Sequence, residues 1–222
     1  MQCPLPKRQV RCRRHVGFPT CILEFIAIYT LPPYGIDMTR LPALTPDTAV
    51  GASRDLLTEL VSRHGQVGDM VSAMAHSPAV LGGYLQLSRA MKRAKLDRKI
   101  SERISIAVQT QQGCATCLEA HIAAAHANGV EIEEIDRART GTSADPAIAA
   151  MIDLGLRVYR EPTSITDEHI AGLRAHGYRD REIADVVGIV ALNVLTGAFN
   201  ILAGVKPKRL SEAKGNVYEP ER

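Results

Sequence analysis

Two cysteines and a histidine stand close together near the middle of the sequence, in the order Cys114, Cys117 and His121. Gly113 precedes them, and because glycine readily ends a helix, we predict that Cys114 opens a new one. Cys117 then lies one turn later, close enough for a disulfide, and His121 shares its face. An imidazole can take the proton of a thiol, and the thiolate can attack a peroxide and close as a disulfide. This spacing indicates thiol redox chemistry.

The residue pattern leaves open which of the two thiols reacts first. The unpaired N–H groups at a helix N-terminus favour the thiolate of Cys114. Proximity to the imidazole of His121 favours the thiolate of Cys117 instead. Both interpretations stand at this point, because the two effects are similar in size.

Two other interpretations of the same residues are open. They could be ordinary core residues, although a helix-breaking glycine directly before them makes this less favoured. They could also bind zinc, with Cys114, Cys117 and His121 joined by Glu102, but structural zinc sites usually draw a second pair of ligands from elsewhere and the body has no other cysteine. Haem attachment through C-x-x-C-H is excluded because Leu118 follows Cys117. We therefore expect no metal and no cofactor.

The composition is that of an average globular protein, and it limits the classes of function. The 222 residues are 45% apolar and 23% charged, with a formal net charge of +3 that is too weak to argue for a nucleic-acid partner. Five cysteines, an odd number, argue against a secreted disulfide scaffold and favour a reducing compartment. We expect a cytoplasmic protein with no nucleic-acid or membrane partner.

The chain is predicted to have three parts. Residues 1–37 are basic and hold three of the cysteines; their apolar run loosely imitates a secretory signal, but Glu24 interrupts it and no small-x-small cleavage site follows. We interpret 1–37 as an N-terminal extension, disordered or arising from a translation start assigned too early. Residues 38–205 form the folded domain, and 206–222 form a polar tail.

Helix signals recur from Met38 onwards, and no convincing strand alternation is present. The domain should therefore be all-α. The last helix is apolar almost all round, so we expect it to be buried in the core or in a subunit interface. The first predicted helix ends near residue 64. The others are predicted to cover about 78–94, 97–112, 114–128, 131–139, 145–159, 166–177 and 180–203.

Glu102, followed by eleven residues and then Cys114-x-x-Cys117-x-x-x-His121, resembles the signature of the AhpD-like alkylhydroperoxidases. These belong to the carboxymuconolactone decarboxylase superfamily. The resemblance covers about residues 38–205. Three flanking stretches share it, namely 40–46, 102–108 and 191–196.

The resemblance implies an all-helical, AhpD-like domain that assembles into homo-oligomers such as trimers or hexamers. It implies that Cys117 attacks a small-molecule hydroperoxide and that Cys114 resolves the product to a disulfide. It also implies a proton relay of Glu102 and His121, and an external dithiol as electron donor. We therefore expect Glu102 to be buried beside His121.

One position departs from the family pattern. The best-studied members carry a second histidine immediately before the second cysteine, and this chain has Thr116 there, whose hydroxyl is no base near neutral pH. Two alternative functions stay open: a carboxymuconolactone decarboxylase-type enzyme of lactone or aromatic catabolism, and a non-enzymatic redox switch. Among the remaining polar residues, His126 should face away from the site, and we expect Asn193 and Asn200 to bond across subunits.

Overall fold

The chain divides into two units, Met1–Asp37 and Met38–Arg222. The computed structural model describes residues 40–207, so all that follows concerns this part of the second unit. The predictions for residues 1–37 and for the tail beyond Pro207 lie outside the described residues.

Residues 40–207 are helical and contain no strand, which confirms the all-α prediction. Two short elements were not predicted, the helix Asp69–Met74 and a single 3-10 turn, Pro162–Ser164, because both are too short to show a helical period. The helix from Pro78 also ends earlier than expected, at Met91. The helices are α1 Gly51–His64, α2 Asp69–Met74, α3 Pro78–Met91, α4 Arg98–Gln112, α5 Ala115–Ala127, α6 Ile132–Arg139, α7 Pro146–Arg160, α8 Asp167–Ala175 and α9 Asp180–Ala203.

The ends of the central helices follow local capping chemistry. Ser77 accepts a hydrogen bond from the backbone N–H of Val80, and Pro78 occupies the first turn of α3. Asp97 caps α4 in the same way through the N–H groups of Lys99 and Ile100. These caps explain why the helices begin where the sequence predicts.

Helix α4 is the centre of the domain and packs against α5, α6, α7 and α9. Because neighbours surround it, its polar side chains must find partners inside the protein. The Gln109 amide donates to both the backbone oxygen and Oδ1 of Asn193, and Asn193 Nδ2 donates to Ser105 Oγ at 2.9 Å. Asn193 therefore joins α4 to α9 within one chain, and the expected bond across subunits stays a prediction for this residue.

Helix α9 is 24 residues long, and its most apolar window has a mean hydropathy of 2.0, which by length and composition would suffice to cross a membrane. One face packs into the core through Val186, Ile189 and Val190. Val187 and Leu202 are exposed, so the helix is apolar on both its buried and its outer side. The inner face of α9 therefore lies in the core, as the sequence predicts for this helix.

Gly197 sets how closely α9 approaches α4. A Cβ at this position would overlap the side-chain oxygens of Gln109 and Gln112, which are buried in the helix contact. We expect Gly197→Ala to lower the free energy of unfolding by about 1–3 kcal/mol, the usual penalty for overpacking a core. Denaturant unfolding monitored by circular dichroism measures this change.

The matched control is Gly83→Ala on α3, where a Cβ meets no atom within 4 Å. Gly83 is exposed and helical, so alanine there should stabilise the protein by about 0.5–1 kcal/mol. Equal changes in the free energy of unfolding at the two positions would show that the close α4–α9 contact is not the cause of the destabilisation by Gly197→Ala.

Candidate functional site

The turn between α4 and α5 places both cysteines of the C-x-x-C motif. Gly113 takes a left-handed conformation with φ of +76°, which ends α4 and lets α5 start at once. Cys114 is the N-cap of α5, and its Sγ accepts from the backbone N–H of Cys117 at 3.4 Å. Both residues are buried and are free thiols. The predicted helix start is confirmed, and the two thiols lie one turn apart.

Glu102 is buried beside His121, as expected. Its side chain is 2% exposed, and its Oε2 lies 2.7 Å from His121 Nδ1. Its other oxygen, Oε1, pairs with Arg98 at 2.5 Å. Arg98 lies one turn earlier on α4, so Glu102 has a partner on each oxygen. The catalytic role of Glu102 stays a prediction.

This contact fixes the orientation and the tautomer of the imidazole. A carboxylate can only accept a hydrogen bond, so Nδ1 of His121 carries a proton and donates the hydrogen bond to Glu102. Nε2 then keeps its lone pair and is the atom that can take a proton. His121 is half-buried on α5, one turn after Cys117, and both side chains line one cavity. The pair Glu102–His121 is thus arranged as an oriented general base.

Cys117 is held as a neutral thiol at rest. Burial raises the pKa of Cys117 to about 12, and the hydrogen bond with the Cys114 thiol adds to this rise. Hydrogen bonds from Asn200 and Thr196 of α9 act in the opposite direction; Asn200 Nδ2 lies 3.1 Å from Cys117 Sγ. Since almost no thiolate forms by itself near neutral pH, this thiol needs a base to react.

A cavity of about 720 Å³ lies beside Cys117 and His121, and its lining comes from α2, α3, the α3–α4 loop, α4, α5 and α9. Cys117, His121 and Glu102 line it, whereas Cys114 is not among the described residues that do. A molecule in the cavity therefore meets the sulfur of Cys117 first. The volume suits an organic molecule, since small-molecule sites commonly span several hundred Å³. Its apolar wall includes Tyr84, Met91, Ile189 and Leu192.

Thr116 has a structural contact in place of a second base. Its Oγ1 donates to the backbone oxygen of Val205 at 3.0 Å, which ties the start of α5 to the segment after α9. Val205 and Lys206 in turn line the cavity. The hydroxyl at this position therefore shapes the cavity wall.

The structure adds site residues that sequence reasoning missed or assigned elsewhere. Arg98 was missed, although its spacing of four from Glu102 is a signal for a helical ion pair. Asn200 was expected to bond across subunits, which stays a prediction; within the chain its amide contacts Cys117. The sequence signal for Asn200 was its polar side chain within an otherwise apolar helix. His126 is exposed and faces away, as predicted.

The zinc interpretation finds no support in the geometry. Within residues 40–207, no group of three or more His, Cys, Asp or Glu side chains is placed to hold a metal ion. Nδ1 of His121 is instead hydrogen-bonded to Glu102, and the Cys117 sulfur accepts a hydrogen bond from the Asn200 amide. These contacts fit a proton relay and a reacting thiol better than a ligand set.

The family model of the carboxymuconolactone decarboxylase family matches residues 78–161, which include the whole C-x-x-C motif, Glu102 and His121. No curated protein matches the chain in sequence. Over these residues the match agrees with the family resemblance seen in the sequence.

Three solved structures illustrate the likeness in fold. The alkylhydroperoxidase AhpD core of an uncharacterized peroxidase-related protein from Ralstonia eutropha JMP134 aligns with a TM-score of 0.65 at 22% identity, covering 77% of this chain and 92% of that one. A peroxidase-related protein from Silicibacter sp. TM1040 aligns with a TM-score of 0.62 at 19% identity, covering 78% and 96%. A variant of the debrominase Bmp8, in complex with 2,3,4-tribromopyrrole, aligns with a TM-score of 0.60 at 15% identity, covering 77% and 92%. At these identities the likeness establishes the AhpD-like fold.

Proposed function

We infer from the carboxymuconolactone decarboxylase family region at residues 78–161, and from the AhpD-like fold around it, that this protein is a dithiol oxidoreductase that reduces organic hydroperoxides. One observation carries the proposal: a buried cysteine lines an organic-sized cavity together with a carboxylate-oriented histidine. Cys117 is the attacking thiol, Cys114 the resolving thiol, and Glu102 and His121 the proton relay.

The first step is the attack of Cys117 on the peroxide. Nε2 of His121 takes the thiol proton while Glu102 holds Nδ1, and the sulfur attacks the terminal oxygen of the hydroperoxide. The O–O bond breaks, and the leaving alkoxide takes the proton from His121 and departs as an alcohol. Cys117 is left as a sulfenic acid.

The second step closes the disulfide. The Cys114 sulfur attacks the sulfur of the Cys117 sulfenic acid, the S–S bond forms, and hydroxide leaves with the Cys114 proton as water. The sum is one hydroperoxide and two thiols converted to one alcohol, one water and one disulfide. An external dithiol then reduces the disulfide by exchange and is itself oxidised. The helix-turn spacing of the two cysteines supports this step.

The proposal is tested by following cumene hydroperoxide and hydrogen peroxide with dithiothreitol as electron donor. We expect catalytic consumption of both, with a higher kcat/KM for the organic peroxide because it fills more of the 720 Å³ cavity. Without donor, one equivalent of peroxide should produce a Cys114–Cys117 disulfide, detected by peptide mass spectrometry. Peroxide consumption without this disulfide would contradict the dithiol mechanism, and a disulfide without sustained turnover would favour the redox switch.

A second candidate reaction is the reductive removal of halogen from an aromatic ring. The same cavity volume favours it, and a structural neighbour is a debrominase. A dithiol can supply the two electrons and the proton that replace a carbon–bromine bond by a carbon–hydrogen bond; the dithiol becomes a disulfide, and bromide leaves with the second thiol proton. Adding 2,3,4-tribromopyrrole to the same assay and measuring bromide distinguishes the two reactions. The decarboxylase alternative has no use for the buried cysteine pair.

A further inference from the structure

The amide of Asn200 touches the sulfur of Cys117. Asn200 lies near the end of α9, is 5% exposed, and places Nδ2 3.1 Å from Sγ. The residues are 83 positions apart, so the packing of α9 on α5 creates this contact. The same side chain lines the cavity beside the thiol. The proton relay described above does not use it.

The orientation of this amide suits a sulfur that carries negative charge. Nδ2 donates towards Sγ, whereas Oδ1 is buried and has no hydrogen-bond partner among the described residues. A neutral thiol would be served equally well by the reversed amide, whose oxygen accepts the S–H proton. The reversed amide would repel a thiolate. The observed orientation therefore matches the reacting form of Cys117.

A second α9 residue stands on the same face. Thr196 lies one turn before Asn200 and lines the same cavity as Cys117. Its hydroxyl bonds the backbone oxygen of Leu192 at 3.0 Å, which holds the side chain in place. Helix α9 thus places two polar side chains along the cavity, and the amide of Asn200 is the one that donates to the sulfur.

We propose that Asn200 is a catalytic residue that stabilises the Cys117 thiolate by a preorganised hydrogen bond. The proposal rests on the proposed function, in which Cys117 is the attacking thiol. Base and donor then have separate tasks: His121 removes the proton, and Asn200 holds the charge that remains. A donor fixed by packing does this without reorganising when the charge appears.

The test measures the thiolate itself and needs no peroxide. In a Cys114→Ser background, iodoacetamide labelling of Cys117 is timed between pH 7 and 10, where the thiolate is the minor form and the rate follows its fraction. Mass spectrometry of the tryptic peptide from Ile104 to Arg137 isolates this one thiol from the three in residues 1–37. The full chain is used throughout.

We expect Asn200→Ala to slow labelling roughly 10- to 100-fold at each pH, equivalent to a pKa raised by about 1–2 units, the usual range for a hydrogen bond to a charged group. Alanine also opens space around the sulfur, and if exposure alone controlled the reaction, labelling would become faster. The direction of the change in labelling rate therefore distinguishes loss of charge stabilisation from greater exposure. If Asn200→Ala does not fold, the nearly isosteric Asn200→Asp replaces it; a carboxyl group there should slow labelling as well.

Asn193→Ala is the matched control. It removes a buried asparagine from the same helix, two turns earlier, whose partners are Ser105, Gln109 and the backbone of α9. We expect it to leave the labelling rate of Cys117 within about two-fold. Unchanged or faster labelling in the Asn200 variants overturns the proposal, as does equal slowing in Asn193→Ala. If hydroperoxide turnover is absent but labelling slows as expected, the proposed function fails and the role of Asn200 at the sulfur stands.

Discussion

Replacing Cys117 by serine should reduce hydroperoxide turnover by on the order of 10³-fold or more, because the hydroxyl cannot form the sulfenic acid. The substitution is nearly isosteric, and serine at this buried site keeps a polar group for the Asn200 amide. The fold should therefore persist, as circular dichroism can verify. Steady-state consumption of cumene hydroperoxide with dithiothreitol measures the loss.

The matched control is Cys114→Ser, which keeps the N-cap of α5 because serine is itself a preferred cap. This variant should lose sustained turnover yet still consume one equivalent of peroxide per chain, leaving a Cys117 sulfenic acid that dimedone traps. The Cys117→Ser protein should consume none. The reverse pattern, with a single turnover retained only in Cys117→Ser, would assign the attack to Cys114.

Removing the imidazole should have the next largest effect. We expect His121→Ala to lower kcat/KM by about 10²–10⁴-fold at pH 7, the usual contribution of a positioned general base. The sign of the pH dependence follows from the raised pKa of Cys117, about 12. Without the base, only the thiolate already present reacts, and its fraction grows as pH rises towards that value. The residual rate should thus increase roughly ten-fold per pH unit from 7 to 10.

Two comparisons make this result specific. His126→Ala removes an exposed histidine from the same helix and should leave the rate unchanged. Glu102→Gln keeps the shape of the buried side chain but not its charge, so the Nδ1 proton is no longer fixed and activity should fall by less than in His121→Ala. A wild-type-like rate in His121→Ala would end the relay hypothesis and leave Asn200 as the group that activates the thiol.

Much of the candidate site can be predicted from the local rules of helix geometry. The helix break at Gly113, the start of a new helix at Cys114 and the helical spacing to Cys117 and His121 are all consequences of short-range geometry, and all were predicted. The placement of Glu102 was predicted from the family spacing, which encodes how α4 and α5 pack. Short α2 was missed because six residues are too few to show a period.

Thus the sequence by itself determined the all-α class, the dithiol and the histidine one turn later, since helix geometry repeats over three to four residues. Only the tertiary structure decided which sulfur meets the cavity and which residue touches it. The Asn200–Cys117 contact spans 83 positions and depends on how α9 packs against α5, which residue periodicity does not encode. The same packing gives Thr116 a partner in Val205, so the position at which the sequence departs from the family pattern contributes to the cavity wall.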